Sequence, residues 1–476
     1  MYKTFAIFAK SYNYKYNKIV ENMLYVYLKN SMKVLSIIKK TQVICLFSVI
    51  AINTMYSQNI GQTEVTKWQY GKNGAISITY DDGTINQFRV ALPIMDRLNL
   101  PGTFFINTSA LPGSKYKGKF IGRPVNEIIH ETKTVPTNRE NVYERASAAR
   151  YLGFEETDDY FTRAGASIDA NRYENAYKIL DELYTKVANG ELQPASTENI
   201  PNEDEDILTW DMVYSYVDQG HEFASHMVTH PYVSALDEPN LLYELEKSRE
   251  EILERLGMRY TISAECPYGT NDDRAMQYAT KIYPVLRNRI PEEYMLELHR
   301  PSRRTPVNDD YEYVQWQRGA ISKSTIEEMK AWVDTTASQK NIWLVLVVHG
   351  IDGIGWEALK GEDVDTYYSY IKSREDDVWV ATFGDAGRYM KQRMNATVST
   401  SEEKEIIKVS LDHSLDKALY DIPLTLKTIV NPVWKEARIT QGESFMIAKV
   451  QHEGTAAFVL YQAIPGEETI EISEEK

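Results

Sequence analysis

Cysteine is nearly absent: 476 residues hold only Cys45 and Cys266. With no CxxC pair and no Cys/His finger spacing, a disulfide framework and a cysteine zinc cluster are both excluded. Positive charge is also short, with 53 Lys and Arg against 68 Asp and Glu, a formal charge of −15. A nucleic-acid or anionic-membrane partner would want a basic surface, so neither is expected. Long apolar runs are missing as well; the ten residues Val43–Ile52 are half of what a spanning helix needs. What remains is an ordinary globular composition, 43% hydrophobic and 25% charged, large enough for two or three domains. Tyrosine is plentiful at 33, with 8 Trp, and amphipathic rings of this kind suit carbohydrate surfaces as well as cores.

The short apolar run lies between Lys39-Lys40 and a polar tail ending near Gln58, the arrangement of a secretory signal peptide. Residues 1–57 are therefore read as a leader, with Met32 as an alternative start and a secreted or periplasmic destination. No stable membrane anchor is expected. The leader carries eight Lys and one Glu, so its removal takes the charge from −15 to −22 and leaves Cys266 alone.

From Gly74 onward, short apolar runs alternate with amphipathic helical stretches. Ala75–Tyr80, Gly102–Ile106, His221–Ala224, Tyr260–Ala264, Ile342–Val348 and Val378–Phe383 read as strands, and Asn86–Leu98 and Asn240–Leu256 as helices between them. Repeated β-α-β units imply parallel strands, and the uninterrupted IWLVLVV run fits a strand buried on both faces. The rhythm breaks over about 112–206, read as a helical insertion with helices at Glu140–Leu152 and Tyr173–Val187 and an acidic loop at Asn202–Asp206. Its expected role is a cleft wall that sets substrate choice and can be deleted without loss of metal binding. After a polar linker around Ser399–Glu405 the hydrophobic period becomes two, which predicts a small all-β, sandwich-like domain over 395–476. Residues 58–394 are assigned to the α/β unit.

Three motifs stand at predicted strand ends, where α/β barrels gather their active sites. Thr79-Tyr80-Asp81-Asp82-Gly83 offers two adjacent carboxylates, one for a metal and one free as a base. Ser225-His226-Met227-Val228-Thr229-His230-Pro231 spaces two imidazoles to meet one cation, and Pro231 argues for a tight turn over a helix. His349 follows the buried run, an expensive place for a titratable group unless it is partnered or used.

Together these residues resemble the polysaccharide deacetylase family, the NodB-homology domain of carbohydrate esterase family 4, over about Ala75 to Met390. ThrTyrAspAspGly and SerHisMetValThrHisPro match its first two motifs, Cys266-Pro267-Tyr268-Gly269 resembles the third, and the strand ending in His349 the last. The resemblance implies a distorted (β/α) barrel and a divalent metal, zinc first, on Asp82, His226 and His230. It further implies Asp81 as general base, His349 as general acid, and a backbone N–H near Tyr268 assisting an oxyanion. The expected substrate is an acetylated glycan that loses N- or O-acetyl groups. A non-carbohydrate amide hydrolase and a catalytically weak glycan-binding module are the alternatives.

The pattern departs from the family at the start of the third motif, where Glu265 stands in place of an arginine that orients the aspartate. A second carboxylate there would raise the pKa of Asp81. Arg287 or Arg289, in the next strand region, are the candidate replacement cations. Trp316 and Trp332 fall in the interval of the family's tryptophan motif. Trp210 and Trp356 are placed to stack on sugars or to pack, and Cys266 reads as a small buried hydrophobe.

Overall fold

The computed structural model describes residues 60–195, 208–466 and 468–476. The leader, Cys45 and the acidic loop Asn202–Asp206 lie outside the described residues. The first strand, β1 (Thr63–Val65), pairs with a strand of the C-terminal region rather than with the barrel. The barrel strands follow: β2 (Gly74–Tyr80), β3 (Thr103–Ile106), β4 (Glu222–Ser225), β5 (Ser263–Ala264), β6 (Val285–Leu286), β7 (Met295–Leu298), β8 (Tyr313–Gly319), β9 (Ile342–Val348) and β10 (Val378–Val380). They form one parallel sheet in the order β6-β5-β4-β3-β2-β9-β8-β7. Every residue of β2 and β9 is buried, as expected for central strands covered on both faces.

Two irregularities distort the barrel. β10 pairs with the first half of β2, through Gly74 to Ile76, so β3 reaches β2 only at Thr79 and Tyr80. β6 and β7, consecutive in the chain, occupy opposite ends of the sheet order, so the sheet is open between these two edge strands. Tyr260–Ala264 is mostly a 3₁₀ turn with only Ser263–Ala264 in strand, and Val378–Phe383 ends its strand at Val380 because Phe383 opens a helix capped by Thr382. β7 and β8 escaped the sequence reading. In β8 the buried Gln315 and Gln317 break the apolar run, and Gln317 is held inside the barrel, donating to Gln315 Oε1 and to the Arg287 carbonyl, both at 2.7 Å.

Among the described residues, four helices lie between β3 and the helix Trp210–Val217 that precedes β4: Val125–Thr132, Val142–Ala149, Thr157–Asp169 and Tyr173–Asn189; the first and third were not expected. They do not form a separable module. Their apolar faces share one core with Met227, Leu241, Leu245 and Cys266, Gly165 packs directly on the Tyr232 side chain, and Arg150 donates to the Thr229 hydroxyl at 2.8 Å. Deleting the segment would strip the loop that carries His226 and His230, which corrects the expectation that it can be removed without cost to metal binding.

The C-terminal region is all β, in two antiparallel sheets. β11 (Thr397–Glu403), β12 (Ile406–Asp412), β14 (Glu436–Gln441), β15 (Ser444–Lys449) and β18 (Ile470–Glu474) make one, while β13 (Leu424–Ile429), β16 (Gln451–Glu453) and β17 (Ala456–Ala463) make the other with β1. The polar stretch Ser399–Glu405 is not a linker. It is mostly an exposed edge strand, hairpinned to β12 through Lys404 and Glu405, and its polarity is what an unpaired sheet edge requires. Because β1 belongs to this sandwich, the barrel begins after Val65 rather than at residue 58. Sandwich and barrel share a core through the helix Phe383–Asn395, with Tyr389 hydrogen-bonded to the Thr66 carbonyl.

Candidate active site

All six residues singled out from sequence meet at the C-terminal ends of the strands, around a cavity of about 480 Å³. The turn after β2 carries Asp81 and Asp82 with φ of 73° at Asp82 and 69° at Gly83. This left-handed pair sends two consecutive carboxylates to different partners, and aspartate is among the few side chains that tolerate it. Gln87 ties the turn to the β9 loop, donating to the carbonyls of Asp81 at 2.6 Å and His349 at 2.8 Å.

Residues 226–231 form a turn, as Pro231 predicted, with Met227 and His230 at φ of 67° and 58°. The loop is held by one buried carboxylate: Glu244 accepts the N–H groups of Val228 and Thr229, each at 2.8 Å, and the Thr229 hydroxyl at 2.6 Å. Asp82 Oδ1 lies 3.5 Å from His226 Nε2 and 3.2 Å from His230 Nε2. His226 donates Nδ1–H to the Glu265 carbonyl at 3.0 Å, which leaves Nε2 as the lone pair facing the site. Three donor atoms within 4.8 Å of one another fit a small cation. Atoms bound tetrahedrally at zinc distances would stand roughly 3.3 Å apart, close to the two separations seen. Burial opposes charge on His226, but Asp82, Asp81 and Glu265 outweigh it and raise its pKa to about 9. The same carboxylates would favour a metal in place of that proton.

Glu244→Ala is expected to keep the fold but loosen this loop, weakening divalent-metal affinity by roughly 10–100-fold, the usual scale for losing a group that orients ligands. Metal titration followed by calorimetry, beside a circular-dichroism spectrum, checks it.

The missing family arginine is supplied from the next strand. Arg287, following β6, forks onto Asp81 with Nη1–Oδ1 at 2.7 Å and Nη2–Oδ2 at 2.6 Å, and its Nη2 also lies 2.8 Å from Glu265 Oε1. Arg289 instead turns outward to Asp273 and Asn271. Burial would push both carboxyls up. For Asp81, Arg287 and then His349 overcome it and hold the group below the ordinary aspartate range. For Glu265, burial prevails over Arg287, with Asp81 adding repulsion, and its pKa is raised. Glu265 Oε2 is buried without a hydrogen-bond partner. The two carboxyls beside Arg287 are thus pushed in opposite directions, Asp81 down and Glu265 up, in the manner that separates acid and base roles.

His349 Nε2 stands 3.3 Å from Asp81 Oδ2, and burial lowers its pKa against the pull of both aspartates. Tyr268 takes φ of 66° at the cleft wall and stacks on Tyr232 with ring centroids 3.7 Å apart. Trp356 is half exposed and meets His349 edge-on at 4.9 Å. The other tryptophans do not reach the cleft: Trp210 and Trp316 are buried in the barrel core and Trp332 packs against it. Cys266 is fully buried, its thiol pushed up by desolvation, and serves as packing. A larger cavity of about 820 Å³ lies at the other end of the strands, by Tyr70, Leu100 and the His221–Asp96 pair, and contains none of these groups.

Residues 158–283, which hold His226, His230, Glu265 and Tyr268, match the family described as polysaccharide deacetylase. That segment of the chain is similar to the polysaccharide deacetylase family. Outside the matched segment, the Asp81–Asp82 turn and His349 converge on the same cavity. It is 26% identical over 270 residues to a gellan lyase from Bacillus sp., an alignment covering 53% of this chain and 11% of that protein. The chain therefore spans about a tenth of that relative's length. Among solved structures it is similar to the Bc1960 peptidoglycan N-acetylglucosamine deacetylase, at 12% identity and TM-score 0.33, covering 67% of this chain and 89% of the other. For the chitin deacetylase of Colletotrichum lindemuthianum the values are 12%, 0.31, 69% and 92%. For the family 4 carbohydrate esterase of Streptomyces lividans they are 13%, 0.29, 65% and 92%. Among the described residues no helix is long and apolar enough to cross a membrane.

Proposed function

We propose that this protein is an exported metal-dependent hydrolase that removes acetyl groups from a glycan. The observation that carries the reading is the convergence of an Asp82–His226–His230 cluster with an independent Asp81–Arg287–His349 chain in one cleft. The cluster would hold a divalent cation, with zinc favoured by two imidazoles and one carboxylate and open positions left for reactants. Such a cation supplies Lewis-acid polarisation and lowers the pKa of water.

The chain's own groups then divide the proton work. Asp81, ionised and oriented by Arg287, accepts a proton from the attacking water. The Tyr268 N–H donates to the oxygen that gains charge on the acetyl carbonyl. His349, neutral before reaction because it is buried, faces Asp81 closely enough to take that proton and deliver it to the departing sugar nitrogen or oxygen. Trp356 and the Tyr232–Tyr268 pair offer flat faces for sugar rings on either side. Arg287 supports the reading by supplying in space the cation absent from position 265.

The test combines metal analysis with acetate release from an acetylated glycan panel. Wild-type protein is expected to hold one divalent ion and release acetate, and His226→Ala to lose both. Stoichiometric metal with no acetate from any glycan would overturn the esterase reading; no metal in the wild type would overturn the site.

A further inference from the structure

The sequence is strongly acidic, yet one rim of the cleft is basic. The segment His299-Arg300-Pro301-Ser302-Arg303-Arg304 follows β7 at the open seam, and His299 and Arg300 line the catalytic cavity. Arg318 pins the segment, donating to the carbonyls of Ser302 at 2.9 Å and Arg304 at 3.1 Å. Arg304 is neutralised by Asp309, and the neighbouring Arg289 by Asp273. Arg300 and Arg303 have no carboxylate partner among the described residues. Arg300 is half-buried, and its guanidinium carbon lies 5.0 Å from the Trp356 ring centroid, whose other neighbour is His349 at 4.9 Å.

A guanidinium with no carboxylate partner, held beside an exposed indole on the wall of the cleft, is a ready partner for an anion. The floor does not compete for it, because Asp81 is matched by Arg287 and Asp82 faces two imidazoles. A planar guanidinium fork suits a planar carboxylate better than a point charge would. Resting on the deacetylase reading, we propose that the substrate is an acidic glycan: Arg300 receives the carboxylate of a uronic-acid residue next to the acetylated sugar, while Trp356 stacks on its ring. Net negative charge then keeps neutral regions of the surface from binding such a polymer and leaves this rim as its docking point.

The experiment compares an acetylated, uronate-containing oligosaccharide with its carboxyl-reduced, neutral counterpart. The acidic form is expected to have a roughly tenfold higher kcat/KM at low ionic strength, the scale of one charge-assisted contact at a partly exposed site. The ratio should shrink with added salt and fall toward one in Arg300→Gln. Equal kcat/KM for the two, or an unchanged ratio in R300Q, would overturn the proposal while leaving the deacetylase reading intact. Calorimetric binding of both oligosaccharides to Asp81→Asn protein reads the same preference without turnover. Tighter, Arg300-dependent binding of the acidic form with no acetate release by the wild type would instead sink the deacetylase reading and keep the acidic-glycan site. A Trp356→Ala variant should weaken both forms, separating ring stacking from charge.

Discussion

Arg287→Met is expected to be the most damaging single substitution in the cleft. The guanidinium is buried between Asp81 and Glu265, and removing it leaves two carboxyls in a dry environment with one proton-free charge unmatched. Breaking a buried pair in this way costs about 3–5 kcal/mol. Activity should fall for a separate reason. Without Arg287, burial would lift the Asp81 pKa from below its ordinary value, so the base stays protonated to higher pH and the acidic limb of the kcat/KM profile shifts upward. The sign is testable: in wild type the ionic contact stabilises the fold above the unfolded aspartate pKa and is lost as pH falls through the depressed one. Urea denaturation at pH 7 and pH 3 should therefore show a wild-type advantage over Arg287→Met that is large at the first and smaller at the second. Glu265→Gln provides the contrast. Burial favours the protonated form of Glu265, with which the amide is close to isosteric and isoelectronic, so the variant should hold most of the wild-type stability and activity. If Glu265→Gln proved as harmful as Arg287→Met, Glu265 would have to be an anion, and the charge assignment here would be wrong.

Asp81→Asn should nearly abolish acetate release while sparing the metal. The amide keeps the shape and one acceptor toward Arg287 but cannot take a proton, and a positioned base is worth about 10²–10⁴ in rate. Its neighbour Asp82 is the opposite case. Asp82→Asn weakens the cluster with His226 and His230, so metal content falls first and activity with it. Measured together, metal stoichiometry and turnover separate two adjacent residues of the same type. Full metal with turnover lost is the expected signature at position 81, and metal loss at 81 with retention at 82 would exchange the two roles.

Much of this was legible in the chain because the signals are local. The seven apolar residues of β9 can only be a strand covered on both sides, and the Asp-Asp-Gly and His-x-x-x-His spacings place donors within a turn of each other. Where the reading failed, the deciding contacts were remote. β7 is short, and β8 hides polar Gln315 and Gln317 inside the barrel, where Gln317 donates to Gln315 and to the Arg287 carbonyl just after β6. The exposed strand β11 looks like a linker because a sheet edge is selected for polarity. β1 joins a sheet whose partner strand begins at Leu424, a pairing no local pattern records.

The sequence by itself determined the barrel's central strands, the candidate ligands and proton-transfer groups, and the exclusion of cysteine chemistry, since each depends on residue types a few positions apart. Only the tertiary structure decided which arginine faces Asp81 and in which direction burial moves the Glu265 carboxyl. It also decided that Trp356 and Arg300, rather than Trp316 or Trp332, face the cleft. Those questions turn on burial and on charges brought together by strands 206 residues apart, and a pKa belongs to an environment rather than to a residue.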